Sequence, residues 1–165
     1  MNETTWSDNA RWFNEHVLPQ AYTLLPPAMA STAASAMLLA IGLQEGRLWH
    51  RRQIGGPAHG AWQFERGGGV VGVLTHSATK LKAATICTAR NVLPNAQSVY
   101  DALPNDDILA CCFARLLLYT LPAKLPAQGA HDEGWRQYID AWRPGMPHRS
   151  TWNNFYDIAW NVCSA

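Results

Sequence analysis

Two carboxylates and an amide stand out in this chain: Glu45, Gln63 and Glu65. Ala34, Met37, Leu38, Ile41 and Glu45 recur at intervals of three and four, which puts a carboxylate on the apolar face of a helix. Leu38 and Ile41 would desolvate it. Burial disfavours the charged form, so the carboxyl should hold its proton to higher pH than usual. An acid still protonated near neutral pH can deliver that proton to a leaving oxygen, as cleavage of a glycosidic bond requires. The competing reading is an ordinary helix-end glutamate facing water.

The segment Gly60-Ala61-Trp62-Gln63-Phe64-Glu65 follows, short and glycine-led. Together with Ala40-Ile41-Gly42-Leu43-Gln44-Glu45 it resembles the lysozyme-like superfamily, in particular soluble lytic transglycosylases and goose-type lysozymes. There a catalytic glutamate, usually followed by serine, ends a core helix, and a Gly-Leu-Met-Gln motif comes after it. Here Gly46 stands where the serine would be, and Ala61-Trp62 replaces Leu-Met. The likeness covers residues 21–65 best. A softer likeness to small phage-encoded lytic proteins runs through Ala114–Tyr119 and Trp142–His148.

The resemblance implies an α+β, predominantly helical lysozyme-like domain that cuts peptidoglycan between MurNAc and GlcNAc without a cofactor. Glu45 would be the general acid. Gln63 would hydrogen-bond the sugar beside the scissile bond. The tyrosine that supports the acid in many members has its nearest candidate in Tyr119, without the asparagine that usually follows. Glu65 repeats the acidic residue that goose-type lysozymes carry two positions after the motif glutamine. Inverting hydrolysis places such a base about 6.5–9.5 Å from the acid. A Glu65 turned away would leave the substrate's C6 hydroxyl to attack, giving a 1,6-anhydro product. Trp62 is the sugar-stacking candidate, Gly60 opens the motif, and His59 between the motifs is a further substrate contact.

The elements that must position these residues are mostly helical. Ser7 can cap a first helix to about Leu18, which Pro19 and Pro26-Pro27 interrupt. The second runs from about Pro27 to His50 and carries Glu45. Residues 53–72, rich in glycine, read as irregular loop or a small β-hairpin beside the cleft. Further helices are expected over 75–90, from an Asn105 or Asp106 cap to Tyr119, over 133–142 and over 151–163. Trp135, Trp142, Trp152 and Trp160 read as packing anchors.

At 165 residues the chain is expected to be one domain, 1–165, large enough to bury a core unaided. A net charge of +1 gives no argument for nucleic acid. The partner expected is the peptidoglycan glycan chain, and the protein a monomer. Six histidines form no HExxH pattern and none pairs with cysteine at ligand spacing, so no metal is expected. Cys87, Cys111, Cys112 and Cys163 read as reduced and mostly buried. The uncharged stretch Val17–Gln44 reads as a buried helix, since Pro26-Pro27 and three hydroxyl residues break it. The N-terminus lacks a basic, signal-like start. The expected setting is a phage lysin, made in the bacterial cytoplasm or carried on the virion, that acts on the cell wall. The rivals are a non-catalytic glycan-binding or phage structural module, and a membrane-lysis protein using Val17–Gln44.

Overall fold

Helix α3 (Thr32–Gly46) is the element around which the others are built. The Ser31 side chain caps it by accepting from Ala34 N at 3.0 Å. Every residue from Ala36 to Gln44 is buried. A helix apolar on all sides belongs at the centre of a fold. Its small residues let neighbours come close: a Cβ added at Gly42 would lie 2.2 Å from Leu48 Cδ2. The computed structural model describes residues 2–165.

Around α3 stand α1 (Glu3–His16), α2 (Leu18–Leu24), α7 (Asp107–Tyr119) and α9 (Arg149–Cys163). The most extensive packing is between α3 and α9. Trp152, Phe155, Tyr156 and Ala159 of α9 are buried. Short helices α4 (Val71–Thr75), α5 (Lys80–Ala89) and α6 (Ala96–Ala102) follow the glycine-rich segment. Helix α8 (His131–Trp142) closes the fold ahead of α9.

Several boundaries differ from those expected, each for a local reason. Helix α1 starts at Glu3 rather than Ser7, because the Asn2 side chain accepts from Thr5 N at 3.1 Å. Pro19 does not interrupt the chain; it sits in the first turn of α2, where its missing N–H costs nothing. Pro27–Met29 forms a separate 3-10 turn, so α3 starts at Thr32 rather than Pro27. The helix expected over 75–90 begins only at Lys80. Ahead of it Thr79 is fully buried, and its hydroxyl donates to Val73 O at 2.7 Å. Helix α6 had no counterpart in the sequence reading. Asp106 caps α7, one of the two residues expected to do so.

The fold is predominantly helical, and no strand is found among the described residues. The anticipated β-hairpin is reduced to two isolated antiparallel bridges, Arg52 with His59 and His59 with Phe64. The glycines beyond them wind into a π-helical turn, Arg66–Val70, that leads into α4. A glycine run has no alternating side chains to stabilise a ladder. No helix of the described residues is long and apolar enough to cross a membrane. All four cysteines are free thiols; three are buried and Cys163 is half-buried.

Candidate active site

Glu45 occupies the last turn of α3, and the chain reverses immediately after it. Arg47 takes a left-handed conformation (φ 58°), and its N–H bonds back to Leu43 O at 3.1 Å. Leu48 is left-handed as well (φ 51°) and folds under Gly42. The carboxyl is thereby left at the edge of the core, facing a cleft of about 1020 Å³.

Burial pushes the Glu45 carboxyl up from 4.5 to about 7. A hydrogen bond from Tyr138 and the Arg47 guanidinium act in the opposite direction, and the like charge of Glu65 adds to the rise. The negative end of the α3 dipole also disfavours an anion here. The result is a carboxylic acid that retains its proton close to neutrality while facing a solvent-filled groove.

Tyr138, on α8, donates its hydroxyl to Glu45 Oε1 at 2.6 Å. Its ring is buried and stacks on Trp152, with centroids 5.3 Å apart and planes 10° apart. That stack fixes the phenol, and the phenol orients the acid. Burial, followed by the adjacent Glu45 carboxylate, drives the Tyr138 hydroxyl far above its ordinary value, so it stays a donor. This overturns the expectation for Tyr119, which is 43% exposed, does not line the cleft, and lies under Lys82 and Arg115. Tyr119 is the last residue of α7, on a turn that the core does not cover.

The motif Gly60-Ala61-Trp62-Gln63 is a tight turn. His59 and Phe64 close it with reciprocal backbone bonds of 2.9 and 2.8 Å, and Gln63 N donates to Gly60 O at 2.9 Å. Gly60 needs its left-handed φ of 79°, and an added Cβ would press on Leu103 at 3.2 Å. The glycine therefore serves the turn and its packing rather than the cleft. Gln63 lines the cleft from a left-handed backbone (φ 51°). Its Nε2 donates to Gly60 O at 2.9 Å and His50 O at 3.2 Å, which leaves the amide oxygen as the acceptor it can offer to a ligand. A Cβ at Gly46 would meet Gln63 Cγ at 3.5 Å, so the turn sits directly against the end of α3.

Two more expected contacts lie elsewhere. Trp62 is 0% exposed, and its Nε1 donates to Leu38 O at 2.7 Å inside the core. A buried indole cannot stack on a sugar; it locks the motif turn onto α3. His59 also lies outside the cleft. It stacks on Tyr100 at 3.8 Å, and its ring nitrogens bond Tyr100 O and Arg52. The alternation of a tight turn sends Trp62 and Gln63 to opposite sides, and only Gln63 reaches the groove.

Glu65 is exposed and lines the same cleft as Glu45, close enough for its charge to act on the acid. Glu45, Gln63 and Glu65 therefore line one cleft. The sequence reading missed the opposite wall: Tyr138, Asp140, Trp142 and Arg143 at the end of α8, and the loop to His148. Gln44, next to the acid, ties that loop down. Its Nε2 donates to His148 O at 2.9 Å, and its Oε1 accepts from the Thr151 hydroxyl at 3.0 Å. Trp142 Nε1 donates to Trp62 O at 3.0 Å, joining this wall to the motif turn. The spacing of Trp135, Tyr138 and Trp142 at three and four was the available signal, and it reads equally well as an ordinary packing face.

No group of three or more histidine, cysteine or acidic side chains capable of holding a metal occurs among the described residues. No protein family, no curated protein and no solved structure matches the chain.

Proposed function

We propose that this protein cleaves the glycan strand of bacterial peptidoglycan between MurNAc and GlcNAc, with Glu45 as general acid. The observation that carries the reading is a carboxyl raised to about 7 at the end of a buried helix, in a groove large enough for several sugars. Glu45 protonates the bridging oxygen as the bond to the anomeric carbon lengthens and positive charge builds there. Tyr138 supports the carboxylate that results, because its hydroxyl bond favours the ionised form. Gln63 offers its amide oxygen to a sugar hydroxyl. Glu65, across the same groove, takes a proton from the attacking water, and Glu45 is reprotonated from solvent. The chemistry needs no cofactor.

In this reading the protein is a lysin of the lysozyme-like kind, encoded by a phage, made in the bacterial cytoplasm or carried on the virion, and acts on the cell wall. The test is clearing of purified cell walls by wild type and Glu45→Gln, with mass analysis of the products. Wild type should release fragments ending in reducing MurNAc, and Glu45→Gln should release them far more slowly. Fragments ending in 1,6-anhydro-MurNAc would retain Glu45 as the acid and remove Glu65 as the base. Undiminished clearing by Glu45→Gln would remove Glu45 as the acid, and no clearing by wild type would leave a glycan-binding or phage structural module as the better description.

A further inference from the structure

Helices α3 and α8 end on the same device and use it differently. Each stops at an arginine in the left-handed conformation, Arg47 with φ 58° and Arg143 with φ 49°. Glycine suits such a position best, and a residue with a Cβ there is retained at a cost in backbone strain. Arg47 turns inward, and its Nη1 donates to Leu43 O and Gln44 O at 2.7 and 2.9 Å, satisfying the end of its helix. Arg143 caps with its backbone alone. Its side chain makes one hydrogen bond, a long contact of 3.4 Å from Nε to Asp140 O, and its terminal nitrogens have no partner among the described residues.

The other nine arginines are committed. Five are ion-paired with carboxylates. Two bond to other side chains. Arg47 and Arg115 donate to main-chain carbonyls. The uncommitted guanidinium is the one that lines the Glu45 cleft, and its backbone is held from both sides. Arg143 N donates to Ile139 O at 2.9 Å, Trp142 is bonded to Trp62, and Gln44 fastens the far end of the loop at His148. A guanidinium with free donors on a fixed backbone is suited to bidentate capture of a carboxylate.

We infer that Arg143 is a carboxylate-binding residue of the cleft, which grips an acidic group carried on the glycan strand. The inference rests on the proposed glycan substrate and adds to it. A strand that bears carboxylates on alternate sugars would be held in register with Glu45, and a neutral strand would not.

The test is co-sedimentation with insoluble cell walls in a Glu45→Gln background, so that the walls survive the assay. Three wall preparations are used: intact walls, walls with carboxylates amidated by carbodiimide and ammonia, and walls stripped of stem peptides by an amidase. Arg143→Gln should weaken binding to intact walls about tenfold, in line with loss of one charge-assisted contact. The two proteins should bind amidated walls alike. The amidase frees the lactyl carboxylates, so an Arg143 effect kept on stripped walls shows that Arg143 takes a lactyl carboxylate once it is uncovered, and its loss there assigns the group to the stem peptide. Arg143→Lys should recover part of the binding. Arg143→Gly relieves the left-handed backbone, so it should melt higher than its parent yet bind as poorly as Arg143→Gln, which separates binding from folding. Equal binding of intact walls by parent and Arg143→Gln, or an equal loss on amidated walls, overturns the subsite and leaves the role of Glu45 standing. Failure of the parent to sediment with intact walls overturns both.

Discussion

Glu45 and Tyr138 form a pair in which one side chain sets the state of the other, and the pH behaviour follows from that. The acid acts in its protonated form, so activity should fall as pH rises through about 7. Glu45→Gln should lower the rate by about 10²–10⁴-fold, read as turbidity clearing. Tyr138→Phe removes a bond that favours the ionised acid, so the alkaline fall should move to higher pH. An unchanged profile would show that the phenol does not act on Glu45. The same group governs stability. Below pH 4.5 Glu45 is protonated in both the folded and the unfolded chain. Between 4.5 and about 7 only the unfolded chain ionises, so the native protein loses stability across that window. Glu45→Gln escapes this loss. It should match wild type at pH 4 and exceed it at pH 8 by up to about 3 kcal/mol in chemical denaturation. A functional acid held in an apolar site is a stability cost of this kind.

At the scale of elements, the glycine-rich turn 66–72 has glycines with different jobs. A Cβ at Gly69 would lie 2.7 Å from Phe64 Cδ1, whereas at Gly67 it would meet nothing within 4 Å. Both lie in helical backbone. Gly69→Ala should therefore destabilise by about 1–3 kcal/mol through overpacking. Gly67→Ala should stabilise by about 0.5–1 kcal/mol, because alanine restricts the unfolded chain. Thermal melts of the two variants should move in opposite directions, and a shared direction would refute this account of the turn. The motif turn is tied to α3 by Trp62, so Trp62→Ala should cost about 3–5 kcal/mol and impair folding rather than sugar affinity alone.

For the whole molecule, the core closes without covalent cross-links. Burial pushes the Cys87 and Cys163 thiols up to about 11 and Cys112 to about 12, and drives Cys111 well above its usual value. Thiolate is the reactive form. The native protein should react slowly with a thiol reagent and release four equivalents once denatured, and its melting temperature should not change with reductant. Fast labelling of the native chain would contradict the packing of α5, α7 and α9.

The 3.6-residue periodicity around Ala34–Glu45 put a carboxylate on the apolar face of a helix, because spacing along a helix fixes which side chains share a face. The irregular backbone around Gly60 and a cap at Asn105 or Asp106 were legible for the same local reason: backbone conformation and capping depend on neighbours a few residues away. Only the tertiary structure decided which tyrosine reaches the acid. Tyr119 and Tyr138 both sit on apolar helical stripes, and the meeting of α8 with the end of α3, 93 residues apart in the chain, selects Tyr138. It also decided that Trp62 faces the core and that Arg143 lines the groove, its terminal nitrogens without a partner among the described residues. Periodicity assigns a residue to a face of its own element. Which neighbour covers that face, and which part is left open as a cleft, is set by long-range packing between elements.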